Sequence, residues 1–197
     1  MLARLMKEGK KVVVFTGAGM STESGLPDFR SSQQGVWNKI NPTEVATVSA
    51  LNKQFDQFID FYRQRVIGVN EYAPHLGHQI LAEWERKGYV QAIITQNVDG
   101  FHQQAGSKEV VELHGTLKTV HCEHCGQTYG NEKYEQREYF CACGGPLRPS
   151  IILFGEMLNE LALQRAEQLS KEADVFLVLG SSLTVSPANR YPLVALE

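Results

Sequence analysis

Three short apolar runs, each halting at a glycine-rich or polar cluster, limit what this chain can fold into more than any other feature. Lys11-Val12-Val13-Val14-Phe15 stops at Thr16-Gly17-Ala18-Gly19, and Ala92-Ile93-Ile94-Thr95 stops at Gln96-Asn97. Asp174-Val175-Phe176-Leu177-Val178-Leu179 stops at Gly180-Ser181-Ser182. Continuous apolar stretches this short, rich in β-branched residues, suit parallel strands buried on both faces. Helical spacings lie between them: Phe55, Phe58, Ile59 and Tyr62; Ile80, Leu81 and Trp84; and an amphipathic stretch over 158–171. Strands alternating with helices predict an α/β fold built on a Rossmann-like parallel sheet. Ligands of such sheets bind beyond the carboxyl ends of the strands. Any one of the three clusters could be an ordinary turn, but together they predict a shared cleft.

All four cysteines fall within a short stretch between the second and third runs, as Cys122-x-x-Cys125 and, after fifteen residues, Cys141-x-Cys143. Two close pairs of thiolates fit a tetrahedral zinc site, and in a reducing compartment a disulfide pair is a poor explanation. Glycine follows each pair, as Gly126 and as Gly144-Gly145, and permits the left-handed turn that aims backbone N–H groups at sulfur. Free thiols or a redox pair are the plain alternatives. His121 and His124 flank the first pair as substitute ligands, although four cysteines make them unnecessary. A closed site of four thiolates has no open position for substrate, so the Zn2+ is expected to be structural. The segment interrupts the strand–helix alternation and reads as a small inserted lobe.

The chain has 197 residues, 43% of them hydrophobic, which is ample for a buried core and excludes disorder and disulfide-miniprotein classes. A net charge of −3 argues against a general nucleic-acid binder. No apolar run approaches the ~18 residues of a spanning helix. The stretch from Met1 to Lys11 is mostly polar, without the long apolar core of a signal peptide, so a cytoplasmic location is expected. Nothing in the sequence indicates an oligomeric state.

The first glycine cluster runs Gly17-Ala18-Gly19-Met20-Ser21-Thr22-Glu23-Ser24-Gly25. It is not G-x-G-x-x-G, because the third glycine comes late. The second strand ends in Thr95-Gln96-Asn97 rather than in an acidic residue that would hold a ribose, so a hydride-transfer dehydrogenase fits poorly. No Walker lysine is present. A phosphate cradle of backbone amides, with Ser21 nearby, remains plausible for this loop.

The longer string Gly17 to Gly25 followed by Leu26-Pro27-Asp28-Phe29-Arg30 resembles the signature of the sirtuins, the NAD-dependent protein lysine deacylases. Thr95-Gln96-Asn97-Val98-Asp99-Gly100-Phe101-His102 with Ala105-Gly106 is similar to their second signature, and Leu113-His114-Gly115 to their catalytic histidine segment. Arg148-Pro149 with Phe154-Gly155-Glu156, and Gly180-Ser181-Ser182-Leu183 with Val185 and Pro187, resemble later motifs of the family. The matches run from residue 12 to about 190 in the family's order, around four cysteines placed where the family keeps its zinc module.

The resemblance implies cleavage of NAD at the nicotinamide–ribose bond, with the acyl group of a modified lysine transferred to ADP-ribose. It implies His114 as general base, a role that suits an imidazole titrating near working pH. Asp99 would accept from the nicotinamide carboxamide, and Asn97 and Gln96 would bond ribose hydroxyls or an ordered water. Ala18, Gly19, Ser181 and Ser182 would contact the pyrophosphate, and Gly17, Ser21 and Gly180 would belong to the same cofactor-binding set. Asp28 and Arg30 would order a loop over NAD, and Phe29 would shield the cleaved ribose. Phe154, Gly155 and Glu156 would pair with substrate backbone, so that acylated protein binds as an extended peptide added between two lobes. Ile151, Ile152 and Phe154 would line the tunnel for the lysine stem. For each residue a plain role exists too: His114 and His102 as structural histidines, Asn97 to Gly100 as a turn, the isoleucines as core.

Ala46, Tyr62 and Arg65 resemble the pattern of sirtuins that remove succinyl or malonyl groups, with Arg65 pairing an acyl carboxylate and Tyr62 adding a hydroxyl. The plain reading is a surface helix with one solvated arginine. Two departures stand out. The second cysteine pair is Cys-x-Cys where many members have Cys-x-x-Cys. The family pattern also continues with a further strand and a closing helix that hold the adenine, whereas this chain stops at Glu197, which reads as a truncated chain. Alternatives to the deacylase are an NAD-dependent ADP-ribosyltransferase and a non-catalytic module that binds NAD or ADP-ribose. The expected organisation is a Rossmann-like domain of residues 1–117 and 150–197, with a helical insertion at about 36–85, and a zinc module of 118–149.

Overall fold

The computed structural model describes Arg4 and residues 11–29, 35–38 and 40–197. A parallel four-stranded sheet forms its body. The strands are β1 (Val12–Thr16), β2 (Ala92–Thr95), β3 (Val110–Glu112) and β7 (Val175–Leu179), in the order β3-β2-β1-β7. The three predicted strands are present within a residue of their expected ends. The fourth, β3, has no apolar run of its own: it is three residues long and half-buried, and its pairing with β2 (Ile93 with Val110, Thr95 with Glu112) defines it.

β1 is central, with Val14 aligned to Ile93 on one side and to Leu177 on the other. All five of its side chains are buried, and the four apolar ones alternate between two cores. Val12 and Val14 join Met20, Leu81 and Ile93 on one face. Val13 and Phe15 join Ile94, Ala166 and Leu169 on the other. Helices therefore cover both faces, which is why these strands lack the polar alternation of a half-exposed sheet. The helix Leu76–Arg86 begins where the His75 side chain accepts from the Gly77 amide, and Glu160–Glu172 begins where Asn159 accepts from that of Ala162.

A second sheet is antiparallel, ordered β5-β4-β6, from β4 (Gly115–Cys122), β5 (Thr128–Gly130) and β6 (Leu147–Ile151). β4 and β6 carry the chain out to the cysteines and back, and both cross the expected divides at 117/118 and 149/150. The long helix Phe55–Glu71 packs on this sheet. Phe58, Tyr62, Val66 and Val69 recur every three or four residues and meet Leu117, Val120, Leu147 and Ile151 in one core. The helical insertion and the cysteine-bearing sheet thus make one second lobe. No helix of the described residues is long and apolar enough to cross a membrane.

Candidate active site

A cleft of about 1150 Å³ separates the two lobes, and the carboxyl ends of β1, β2 and β7 open into it. Gly17, Ala18, Gly19 and Ser21 line it from the first turn, and Gly180, Ser181 and Ser182 from the last. Gln96, Asn97, Asp99 and His114 form its inner wall. Asp28 and Phe29 stand at the rim; Arg30 lies outside the described residues. Tyr62, Arg65, Ile151, Ile152, Phe154, Gly155 and Glu156 line the side belonging to the second lobe.

The two glycine clusters meet backbone to backbone. Gly19 N donates to Gly180 O at 2.8 Å, and Gly17 N to Leu179 O at 3.1 Å. A Cβ on Gly17 would fall 2.8 Å from Gly180 O, and one on Gly180, whose φ is +63°, 2.1 Å from Met20 N. Two of the amides expected to cradle an anion are therefore occupied in holding the turns together. Those turns present bare backbone to the cleft because any side chain there would collide.

Asn97 and Asp99 are fixed by a buried polar net. Asn97 Nδ2 donates to Gly17 O at 3.0 Å and to Ser21 Oγ at 3.2 Å, and Ser21 Oγ donates to Asp99 Oδ2 at 2.7 Å. The buried Ser21 hydroxyl thus joins these two side chains. The Phe101 amide bonds the other carboxylate oxygen at 2.9 Å. Burial pushes the Asp99 carboxyl above the usual carboxylate range, and the Phe101 and Ser21 bonds pull it back in part. Beneath Asn97, its amide donates to Thr95 Oγ1, which meets Thr16 Oγ1, which meets His102 Nε2 at 3.0 Å. His102 is buried below the site floor rather than in the cleft wall.

His114 Nδ1 lies 3.0 Å from Gln96 O. A carbonyl only accepts, so Nδ1 carries the proton and Nε2 keeps a lone pair in a ring that lines the cleft. Burial lowers the imidazole pKa, with the Gln96 carbonyl opposing. The Gln96 side chain donates to Ser181 Oγ at 2.8 Å and ties β2 to the β7 turn.

On the far wall, Tyr62 is fully packed, and burial pushes its phenol up to about 12. The Arg65 guanidinium sits 4.9 Å above the Phe29 ring and 5.7 Å from that of Phe61. These two residues face the cleft rather than solvent, unlike a plain surface helix. Ala46 O accepts from the Phe154 amide at 2.8 Å, which brings the third residue of that pattern to the same wall. The Glu156 carboxylate is engaged by Arg148, at 2.8 and 3.1 Å, and by the Leu153 amide at 2.7 Å. The sequence names Arg148 only within a motif; its two carboxylate partners, Glu123 and Glu156, come from separate loops with no local period to announce them. His75 and His78, which meet each other and, through His78, His102, escape sequence reasoning, although they lie three residues apart at the start of one helix.

The four cysteine sulfurs all lie within 4.8 Å of one another. Cys122 and Cys143 are 3.5 Å apart, Cys125 and Cys141 3.6 Å. Four thiolates at ~2.3 Å from one zinc would sit roughly 3.8 Å apart. The His124 amide donates to Cys122 Sγ at 3.4 Å, and the Tyr129 hydroxyl lies 3.2 Å from Cys141 Sγ, the outer bonds a thiolate cluster needs. The set fits a closed Zn2+ site, and neither His121 nor His124 is among the clustered ligand atoms.

The sequence model of the Sir2 family matches residues 17–187. An NAD-dependent protein deacetylase of Oceanobacillus iheyensis is 58% identical over 197 residues, covering 100% of this chain and 84% of that protein. One from Geobacillus kaustophilus is 56% identical over 186 residues, covering 94% and 77%. Among solved structures, a histidine-to-alanine variant of Sir2 with deacetylated p53 peptide and 3'-O-acetyl ADP-ribose superposes with a TM-score of 0.91 at 38% identity, covering 98% of this chain and 80% of that one. A Sir2–p53 peptide–NAD+ complex superposes with a TM-score of 0.87 over the same shares, also at 38% identity. With sequence match and backbone agreeing over nearly its whole length, this chain belongs to the Sir2 family.

Proposed function

We propose that this protein is an NAD-dependent protein lysine deacylase. One observation carries the reading most directly: an imidazole whose Nδ1 is pinned to Gln96 O stands in a cleft walled by glycine turns, Asn97 and Asp99. The cleft exceeds the roughly 300–1,000 Å³ of an ordinary small-ligand site, which suits a dinucleotide together with a lysine stem. Its bare turns at Gly17 and Gly180 suit a pyrophosphate, and Asp99 an amide donor. When bound, NAD supplies an activated bond between nicotinamide and ribose to the acyl-lysine.

The chain's own groups do the rest. His114 Nε2 takes a proton from a ribose hydroxyl, and the Gln96 carbonyl stabilises the imidazolium that results. Asp99, pre-bonded by Ser21 and Phe101, orients the carboxamide without reorganising. Phe29 at the rim excludes water, and the ordering of its loop is the task assigned to Asp28 and Arg30. Phe154 and Gly155 offer backbone to an extended acyl-lysine peptide, with Ile151 and Ile152 along its stem; Glu156 braces that segment. The cysteines hold structural Zn2+ at the lobe's tip. The division into 1–117 with 150–197, and 118–149, belongs to this reading, as do a cytoplasmic location and the absence of nucleic-acid or membrane partners.

The finer reading concerns the acyl group. Arg65 and Tyr62 on the cleft wall, beside Ala46, support removal of succinyl or malonyl groups alongside acetyl. Replacing Arg65 by Met is expected to slow desuccinylation about tenfold or more relative to deacetylation, since a charge-assisted hydrogen bond contributes roughly 1.5–3 kcal/mol. An unchanged ratio of the two rates overturns it.

Mass spectrometry of acetyl- and succinyl-lysine peptides incubated with NAD tests the whole. Free lysine peptide with acylated ADP-ribose is the expected result. ADP-ribosylated protein would make it a transferase of ADP-ribose, and NAD binding without turnover a sensing module.

A further inference from the structure

Arg148 lies on β6 between two carboxylates that belong to different machinery. Its Nε donates to Glu123 Oε1 at 2.5 Å, and Glu123 sits between the first two cysteines, in the turn that presents their sulfurs. Its two terminal nitrogens clamp Glu156 from the opposite side, and Nη1 also reaches Ile151 O at 3.4 Å. Glu156 in turn accepts from the Leu153 amide, so the carboxylate closes the loop 153–156 upon itself. His121 Nε2 is the further partner of Glu123, at 3.3 Å. The guanidinium is nearly buried. A planar fork with five donors satisfies both acids at once; a lysine could not.

We propose that Arg148 is a positioning residue that couples the metal-bearing turn to the substrate loop, so that zinc occupancy and acyl-peptide binding stabilise each other. The coupling to peptide rests on reading 154–156 as the peptide-binding segment. The physical link does not depend on that reading. Loss of the metal frees the Cys122–Cys125 turn, which carries Glu123 away from Arg148. The guanidinium is then left with one acid where it was built for two, and its grip on Glu156 changes geometry. By linkage the effect runs both ways: whatever orders the loop must hold the turn, and with it the metal, by the same factor.

Glu123→Gln in the zinc-loaded protein tests this, because it removes the charge while leaving all four cysteines. Backbone hydrogen exchange across 152–157 is read by mass spectrometry, and zinc transfer to a chromogenic chelator is timed with and without an acyl-lysine peptide. Exchange in the loop is expected to speed by roughly fivefold or more, the low end of typical coupling. Saturating peptide should slow zinc transfer from the parent protein and leave transfer from the variant unchanged. Glu138→Gln, which breaks the surface pair with Lys133 in the same lobe, serves as control and should leave loop exchange alone. Unchanged loop exchange in Glu123→Gln, equal slowing by peptide in both proteins, or the same loop response in the control overturns the proposal. A peptide that shows no binding by fluorescence anisotropy counts against the deacylase reading, and the exchange comparison then decides the coupling alone.

Discussion

At the scale of single residues, the chemistry turns on which nitrogen of His114 is free, and a backbone group decides it. Because Gln96 O can only accept, no rotation of a side chain can reverse the tautomer. His114→Ala is expected to reduce turnover by about 10²–10⁴-fold, the usual contribution of a general base, while leaving the melting temperature nearly unchanged because the ring is only half-buried. The pH profile gives an independent check. A base works in its neutral form, and burial lowers the pKa of this ring from the ordinary 6.5. The acid limb of kcat/KM should therefore fall below pH 6.5. A limb above pH 7 would assign the base elsewhere. The carboxyl of Asp99 moves the opposite way, upward by burial, and remains the acceptor that its bonds to Ser21 and Phe101 require.

At the scale of elements, the ends of β1 and β7 are one unit made from two turns. Gly180→Ala places a Cβ 2.1 Å from Met20 N at a positive φ. Left-handed strain alone costs about 1–2 kcal/mol, and the clash with backbone adds about 1–3 kcal/mol. Differential scanning calorimetry should show a large drop in melting temperature, and isothermal titration weakened NAD binding; Gly126→Ala, at a φ of +72° but with open space at its Cβ, should lose only the strain and leave NAD binding alone. The strand ends were legible because β-branched runs and the glycines that stop them are local signals. So were the cysteine pairs, whose spacing is that of ligands on two tight turns. β3 was not legible, since its three residues become a strand only through pairing with β2. Nor were the side-chain partners of Ser21 and Glu156: the Ser21 hydroxyl meets Asn97 and Asp99 from far along the chain, and the Glu156 carboxylate is clamped by Arg148 from the strand before it. Arg65 sits on a helix face that looks solvated in sequence; the Phe29 ring stacked under its guanidinium makes that face part of the cleft wall, whereas Tyr62 belongs to the apolar spacing. The core shared by Phe58 and Leu117 was not legible, because it joins segments that no periodicity connects.

At the scale of the whole molecule, two features set how the protein responds to its surroundings. The first is acid sensitivity. Burial holds His78 down at about 3 and His102 at about 4, against an ordinary 6.5, and among the described residues neither nitrogen of His78 has a hydrogen-bond partner. Unfolded chain takes up these protons below pH 6.5 and the folded chain does not, so stability is full above that pH and falls as pH drops, at about 1.4 kcal/mol per pH unit for each ring. Urea midpoints measured from pH 7 to pH 4.5 should decline accordingly, and His78→Leu, a neutral ring replaced by an apolar side chain, should flatten the decline. The second is the metal. Four thiolates close the end of a lobe whose three-stranded sheet is small and rests on a single core shared with its helices, whereas the parallel body has a core on each face of its sheet. Removing Zn2+ with a chelator should therefore melt β4–β6 in a first step and leave the parallel sheet for a second, seen as two transitions by circular dichroism where the loaded protein shows one. Activity should vanish in the first step. Gly115 begins β4 directly after His114, and the Ile152 amide bonds His114 O at 2.9 Å, so the imidazole is carried by the strands that the metal pins. If the stripped protein lost those strands yet kept turnover, the histidine could not be seated as it is described.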